Sequence, residues 1–156
     1  MSDFDFAHLV EDATVDADNT KEYEFVDLKG VPTLLCSPAT DENKAYRDAR
    51  LARINTRRKS LKRGVNLTPA LMEKARAEDR ELFAKHCIKG WKNVRDSKGK
   101  DVPFSFDAAL AFLTALPDYI IDEFRAWLVE PTNFLRGGIG LDDEGDETEA
   151  ASLGES

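Results

Sequence analysis

The sequence predicts a mainly α-helical protein: a small helical domain with two short β-hairpins and flexible acidic termini. Three observations support this prediction. Apolar residues recur at helical spacing in the middle of the chain, two short stretches alternate like strands around turn residues, and acidic residues are concentrated at both ends. The expected order is an arm, a hairpin, two helices, a second hairpin, two further helices and a tail.

The two ends of the chain differ in charge from the middle. Residues 1–20 contain six acidic residues and residues 138–156 contain seven, and neither segment contains Lys or Arg. The net charge of −8 therefore leaves +5 on residues 21–137. Such acidic segments bury too little apolar surface to offset the entropy lost on ordering. The sequence thus predicts an acidic N-terminal arm, a helical domain and a disordered acidic tail, with these same boundaries.

The N-terminal arm is not uniformly polar. Its acidic residues are interspersed with four apolar ones: Phe4, Phe6, Leu9 and Val10. The arm is therefore either a short docking segment or a disordered one.

The first hairpin is predicted within residues 22–36. Residues 22–27 alternate between polar and aromatic or aliphatic side chains, Lys29-Gly30 offers a turn, and an apolar second strand follows. Because Pro32 cannot donate a ladder hydrogen bond, this second strand is expected at a sheet edge or beginning beside a bulge.

A second hairpin is predicted over residues 91–104. One arm would run from Trp91 to Arg95 and the other would end at Phe104, around a turn rich in polar residues and glycine. This hairpin would set the angle between the helix before it and the helix after it.

Two helices are predicted between the hairpins. The first follows Thr40, a suitable N-cap, and ends just before Gly64. The second begins at Thr68-Pro69, an N-cap followed by proline at the first helical position, and ends at Gly90.

Two further helices follow the second hairpin. Ser105 caps the first of them, whose apolar residues at i, i+3, i+4, i+7 and i+10 form the clearest amphipathic pattern in the chain. Pro117 separates it from the final helix, which ends before Pro131.

No catalytic or metal-binding pattern is present in the sequence. It contains no glycine-rich phosphate loop, no nucleophile elbow and no zinc-type cluster. His86 and Cys87 are neighbours, but adjacent residues on a helix point about 100° apart and form a poor nucleophile–base pair. We therefore expect a protein that is not an enzyme and uses neither a metal nor a cofactor.

The sequence also predicts the compartment. Cys36 and Cys87 lie far apart, and the acidic N-terminus lacks the apolar segment of a secretory signal. No stretch approaches the ~20 apolar residues that a membrane helix needs. We expect a cytosolic protein with reduced thiols and no membrane partner.

The first predicted helix carries the strongest competing signal, a cluster of cations. Nine Lys and Arg residues lie between Lys44 and Arg63, and such a helix can follow a phosphate backbone. The arginines spread around the helix axis, however, and few aromatic residues lie among them to stack on bases. A solvated helix that faces an acidic partner, or the chain's own acidic arms, is the simpler interpretation.

An ordered set of motifs runs through residues 86–135. It comprises Ile88-Lys89-Gly90-Trp91-Lys92-Asn93-Val94, then Asp96 and Gly99, Val102-Pro103-Phe104-Ser105, Ala115-Leu116-Pro117-Asp118, and Thr132-Asn133-Phe134-Leu135. This order resembles the C-terminal part of the tail assembly chaperones of long-tailed, siphophage-type bacteriophages. The upstream Asn43-Lys44-Ala45-Tyr46 and the helix over residues 69–89 fit the same plan.

The resemblance implies a chaperone that coats the long apolar helices of the tape measure protein and keeps it soluble until tail tube subunits polymerise around it. It also implies a contact with the major tail tube protein through a frameshifted longer product, action in the host bacterial cytoplasm, and absence from the mature virion. The sequence leaves self-association open. A structural minor tail or connector protein of the virion, or a small nucleic-acid-binding protein, is the alternative.

The partner-binding groove is expected between the helices. Its predicted contacts are apolar: Phe83, Ile88, Phe112, Trp127 and Phe134. Trp127 also suits a core anchor, and Phe134 a cap on the core.

Overall fold

Five α-helices and a three-stranded antiparallel sheet form the described part of this computed structural model, residues 4–60 and 68–137. The helices and strands are α1 (Ala7–Val10), β1 (Lys21–Glu24), β2 (Thr33–Cys36), α2 (Lys44–Ser60), α3 (Pro69–His86), β3 (Ile88–Lys92), α4 (Phe106–Ala115) and α5 (Asp118–Leu128). Short 3₁₀ helices follow α1 (Glu11–Ala13) and α5 (Pro131–Phe134). The fold is therefore mixed α and β, and the prediction of a mainly α domain was wrong, because the strands join into one sheet instead of two separate hairpins.

Strand β2 is the centre of the sheet. It pairs with β1 so that Leu34 lies opposite Tyr23, and with β3 so that Leu34 also lies opposite Trp91. The first predicted hairpin is confirmed, but its second strand does not lie at a sheet edge. Pro32 lies just before the first residue of β2, so its missing N–H falls outside the strand, and its carbonyl accepts a hydrogen bond from the N–H of Phe25 (2.9 Å).

The second predicted hairpin is wrong in its first arm. Trp91 belongs to β3 and pairs with β2, and only a short reversal remains, in which the N–H of Val102 donates to the carbonyl of Val94 (2.9 Å). Gly90 lies inside β3 and does not end α3, which stops at His86. A Cβ at Gly90 would lie 3.3 Å from Leu35 Cδ1, so glycine suits this crowded place in the sheet.

Side-chain caps begin α3 and α4 as predicted. The hydroxyl of Thr68 accepts a hydrogen bond from the N–H of Leu71 (3.1 Å), and that of Ser105 accepts one from the N–H of Ala108 (3.0 Å). These bonds satisfy N–H groups that have no partner within the helix. Both predicted helix starts are confirmed.

The start of α2 differs from the prediction. Asn43, not Thr40, caps the helix, with its Oδ1 accepting from the N–H of Tyr46 (3.3 Å). The Thr40 side-chain oxygen is buried and has no hydrogen-bond partner among the described residues. The Nδ2 of Asn43 also donates to the carbonyls of Pro38 (3.0 Å) and His86 (2.9 Å), which ties the start of α2 to the end of α3. The predicted end at Gly64 lies outside the described residues.

The core lies between one face of the sheet and helices α3, α4 and α5. Tyr23 of β1 packs on Phe124 of α5, with ring centroids 5.0 Å apart, and Trp91 of β3 packs on Phe112 of α4 at 5.9 Å. The side chains with no exposed surface include Leu34, Phe83, Leu113, Phe124 and Phe134. The strands contribute Leu34, Cys36 and Ile88 to the buried hydrophobic cluster, and most of its other members lie on the helices.

The N-terminal arm is partly docked on the domain. The N–H of Asp16 donates to the carbonyl of Phe134 (2.6 Å), and the N–H of Arg136 donates to that of Thr14 (2.8 Å). Val15, between them, packs against the core. The arm is thus attached through residues 14–16, and the disorder predicted for residues 138–156 concerns a segment outside the described residues.

Candidate functional site: a groove over helix α3

Helix α3 packs against α2, α4 and α5, and its remaining side forms the floor of an open groove next to α4. The groove has a volume of about 360 Å³. Four α3 residues share this side of the helix because they recur at i, i+3, i+4 and i+7: Lys74, Ala77, Glu78 and Glu81. Leu110 and Thr114, one turn apart on α4, form the facing wall.

The floor of the groove is apolar and its rim is charged. Ala77 is exposed and too small to fill the space, and Leu110 beside it is half-buried. Lys74, Glu78 and Glu81 border this apolar strip. A helix with one apolar stripe flanked by polar residues is the kind of ligand that such a groove accepts.

The acidic rim residues are held by the basic helix α2. Arg53 forms an ion pair with Glu81, and Arg57 forms one with Glu78. Partly exposed pairs of this kind contribute only about 0–1 kcal/mol each, so their main effect is to orient the carboxylates. Some of the cations that suggested a nucleic-acid surface therefore face the acidic side chains of α3.

Arg80 fixes the distance between α3 and α4. Its side chain is only 11% exposed, and it donates to the carbonyls of Leu113 (2.9 Å) and Leu116 (3.2 Å) at the end of α4. Terminal helix carbonyls lack the usual N–H partners within the helix, and Arg80 donates to two of them, although the carbonyl of Leu113 also accepts from the N–H of Leu116 (3.2 Å). The groove is thus preformed, since its two walls are tied together by a nearly buried guanidinium.

Ion pairs also join α3 to α5. Arg76 contacts Asp118 (3.4 Å) and Asp122 (3.3 Å), and Asp79 contacts Arg125 (3.2 Å). Burial raises the pKa of Asp79 above its usual value even though Arg125 is adjacent. Helix α3 is therefore held by charged contacts on two sides and open on the groove side.

The predicted contact residues do not line this groove. Phe83, Ile88 and Phe134 are buried, where a partner of the folded protein has no access to them. Phe112 and Trp127 are half-buried in the aromatic layer on the sheet, where Phe112 contacts Phe25 (5.4 Å) and Trp127 contacts Phe134 (4.9 Å). Contact of these two rings with a partner stays a prediction.

A family model described as YdaY prophage protein matches residues 41–131, more than half of the chain. The chain belongs to the YdaY prophage protein family. The phage origin that the sequence motifs implied is confirmed at this level. No curated protein and no solved structure matches the chain.

The YdaY match contains the whole of the groove. It spans α2, α3, β3, α4 and α5, and so includes every residue of the floor, the rim and the ion pairs described above. The N-terminal arm, β1 and β2 precede the matched range.

The described parts of this YdaY-family chain contain two cysteines, and both are buried. No group of three or more His, Cys, Asp or Glu side chains within these parts is placed to hold a metal ion. Cys36 and Cys87 are buried free thiols, and burial raises the pKa of both, which disfavours the reactive thiolate. Among the same residues, no helix is both long and apolar enough to cross a bilayer.

Proposed function

We propose that this YdaY-family protein is a tail assembly chaperone, which binds and solubilises the tape measure protein during phage tail morphogenesis. The groove over α3 is the observation that carries this proposal. The ordered motifs in residues 86–135 that resemble tail assembly chaperones, and the membership of a prophage family, support it. The protein acts in the host cytoplasm without catalysis, metal or cofactor, and leaves before the virion matures.

The chemistry of the groove suits a helix of the tape measure protein. An incoming helix buries its apolar stripe against Ala77 and Leu110, and its flanking polar residues meet the charged rim of Lys74, Glu78 and Glu81. Because Arg80 ties the walls together, no conformational change is needed to open the site, which lowers the entropy cost of binding. A longer, frameshifted product would add a contact with the major tail tube protein.

Co-expression with the cognate tape measure protein tests the groove directly. Ala77→Arg places a long side chain on the floor, where its guanidinium can reach Glu78 and Glu81, so the fold should be retained while the ligand is excluded. Ala52→Arg is the matched control, since Ala52 is an exposed helical alanine on α2 that does not line the groove. We expect wild type and Ala52→Arg to keep the tape measure protein soluble. Ala77→Arg should raise the dissociation constant by about tenfold, which corresponds to ~1.4 kcal/mol of binding, and so lower the soluble fraction.

Circular dichroism of both variants shows whether the fold is intact. If the folded Ala77→Arg variant solubilises as well as wild type, the groove is not the binding site. If the wild type leaves the tape measure protein insoluble, the chaperone proposal itself fails.

Mass spectrometry of purified virions separates the chaperone from a structural component. A chaperone that leaves before maturation is absent from finished particles. Its presence there in a fixed ratio to the tail proteins would replace this proposal with that of a minor tail or connector protein.

A further inference from the structure

The outer side of α2 carries a stripe of basic and apolar residues. It consists of Lys44, Arg47, Leu51, Ile54 and Arg58, spaced i, i+3, i+7, i+10 and i+14. This is the spacing of a seam that packs against another helix or an apolar segment. The stripe points away from α3, because Arg53 and Arg57 occupy the side of α2 that faces α3.

The α2 stripe is positively charged and partly open to solvent: Lys44, Leu51 and Arg58 are exposed, and Arg47 and Ile54 are half-buried. Leu51 is 47% exposed at its centre, although it is a large apolar side chain. Arg47 pairs with the adjacent Asp48 (3.0 Å), whereas Lys44 and Arg58 form no ion pair with any residue in the described ranges. The surface is therefore suited to an apolar segment flanked by acids.

The N-terminal arm has the complementary composition. Phe6, Leu9 and Val10 lie at i, i+3 and i+4 around α1 and are 61%, 67% and 53% exposed. Acidic residues flank them on both sides: Asp5, Glu11 and Asp12. Since residues 1–20 contain no Lys or Arg, the arm is apolar and purely acidic, as the α2 stripe is apolar and mainly basic.

We propose that the arm of one copy docks on the α2 stripe of a second copy, and that the exchange is reciprocal and forms a dimer. Each copy offers one arm and one stripe, so a two-fold arrangement satisfies both pairs of surfaces and closes the assembly. Leu9 and Val10 pack on Leu51 and Ile54, while the acids of the arm face the cations of the stripe. This surface is separate from the groove over α3.

The attachment of the arm favours a second copy over the chain's own helix. Residues 14–16 are held against residues 134–136. Asp12 packs closely on Gly137, since a Cβ added to this glycine would lie 2.9 Å from the Cβ of Asp12. In this arrangement the apolar side chains of the arm and Leu51 all remain exposed within one chain. Both surfaces are therefore available for contact between copies.

Sedimentation velocity over a concentration series tests the dimer with the full-length protein. Leu9→Asp changes the arm and Leu51→Asp changes the stripe, each placing a charge where the proposal has an apolar contact. Val26→Asp is the control, because Val26 is 68% exposed and lies outside both surfaces. We expect wild type and Val26→Asp to dimerise alike, and each leucine variant to raise the dimer dissociation constant by at least about tenfold.

An equimolar mixture of the two leucine variants gives the sharpest result. A dimer of Leu9→Asp with Leu51→Asp keeps one intact arm–stripe contact, so the mixture should associate more strongly than either variant alone. A wild type that stays monomeric at every concentration, a dimer that both variants leave unchanged, or a mixture no stronger than its components would each overturn the proposal. Ala77→Arg should dimerise like wild type, so failure here and failure of the chaperone proposal are distinguishable.

Discussion

Removal of the side chain of Asn43, the residue that caps α2, should destabilise the protein more than any single polar substitution within that helix. Its amide makes three hydrogen bonds: to the carbonyls of Pro38 and His86, and from the N–H of Tyr46. Asn43 is only 8% exposed, so water cannot fully replace these bonds in Asn43→Ala. Each donated bond contributes roughly 1 kcal/mol and the helix cap roughly 1 kcal/mol, which gives a loss of about 3 kcal/mol.

Two further substitutions separate the contribution of the helix cap from that of the two hydrogen bonds that Asn43 donates to Pro38 and His86. Asn43→Ser keeps an N-cap acceptor but loses both donated bonds, so it should cost about 1 kcal/mol less than Asn43→Ala. Asn55→Ala removes an exposed amide from the same helix and should change stability by no more than about 0.7 kcal/mol. Urea unfolding followed by tryptophan fluorescence measures all three. A loss below about 1 kcal/mol for Asn43→Ala would refute the reasoning that this amide joins α2 to α3.

Two other perturbations follow from burial. Leu113 has no exposed surface, so Leu113→Ala should lower the free energy of unfolding by about 2–5 kcal/mol, and a thermal melt like that of wild type would contradict this. Burial, and secondarily Lys85, lowers the pKa of His86 below its ordinary value of 6.5, so the folded state binds this proton more weakly than the unfolded state. The free energy of unfolding should therefore fall as the pH drops below 6.5, and His86→Gln should reduce that fall. If wild type and His86→Gln lose the same free energy of unfolding between pH 7.5 and 5.5, His86 is not responsible.

Elements that are encoded by neighbouring residues could be predicted from the sequence. Thr68-Pro69 and Ser105 begin helices because a hydroxyl and the next few N–H groups are enough to form a cap, and Pro117 separates α4 from α5 for an equally local reason. The sheet could not be predicted in this way. The pairing of Leu34 with Trp91 joins segments that are distant in sequence. A glycine such as Gly90 is equally typical of a helix end and of a crowded position in a strand, so its neighbours in sequence do not distinguish the two.

The candidate site was harder to predict than the fold. Large apolar residues suggested a binding surface, but Phe83 and Ile88 were needed to fill the core. The groove instead depends on Ala77, a small residue on a highly charged helix, whose exposure results from the places of α2, α4 and α5 around α3. Its sequence pattern is that of an ordinary solvated helix face, so only the packing of the helices revealed it.

The central position of β2 has a consequence for the order of folding. Eight residues separate β1 from β2, whereas 51 separate β2 from β3. As a flexible loop, the longer connection costs about 1.6 kcal/mol more to close. The antiparallel helices α2 and α3 form within that connection, and Asn43 joins its two ends through Pro38 and His86. The pair of helices should therefore form early and bring β3 close to the free edge of β2, which is already paired with β1. The long-range pairing of β2 with β3 then closes a much shorter effective loop.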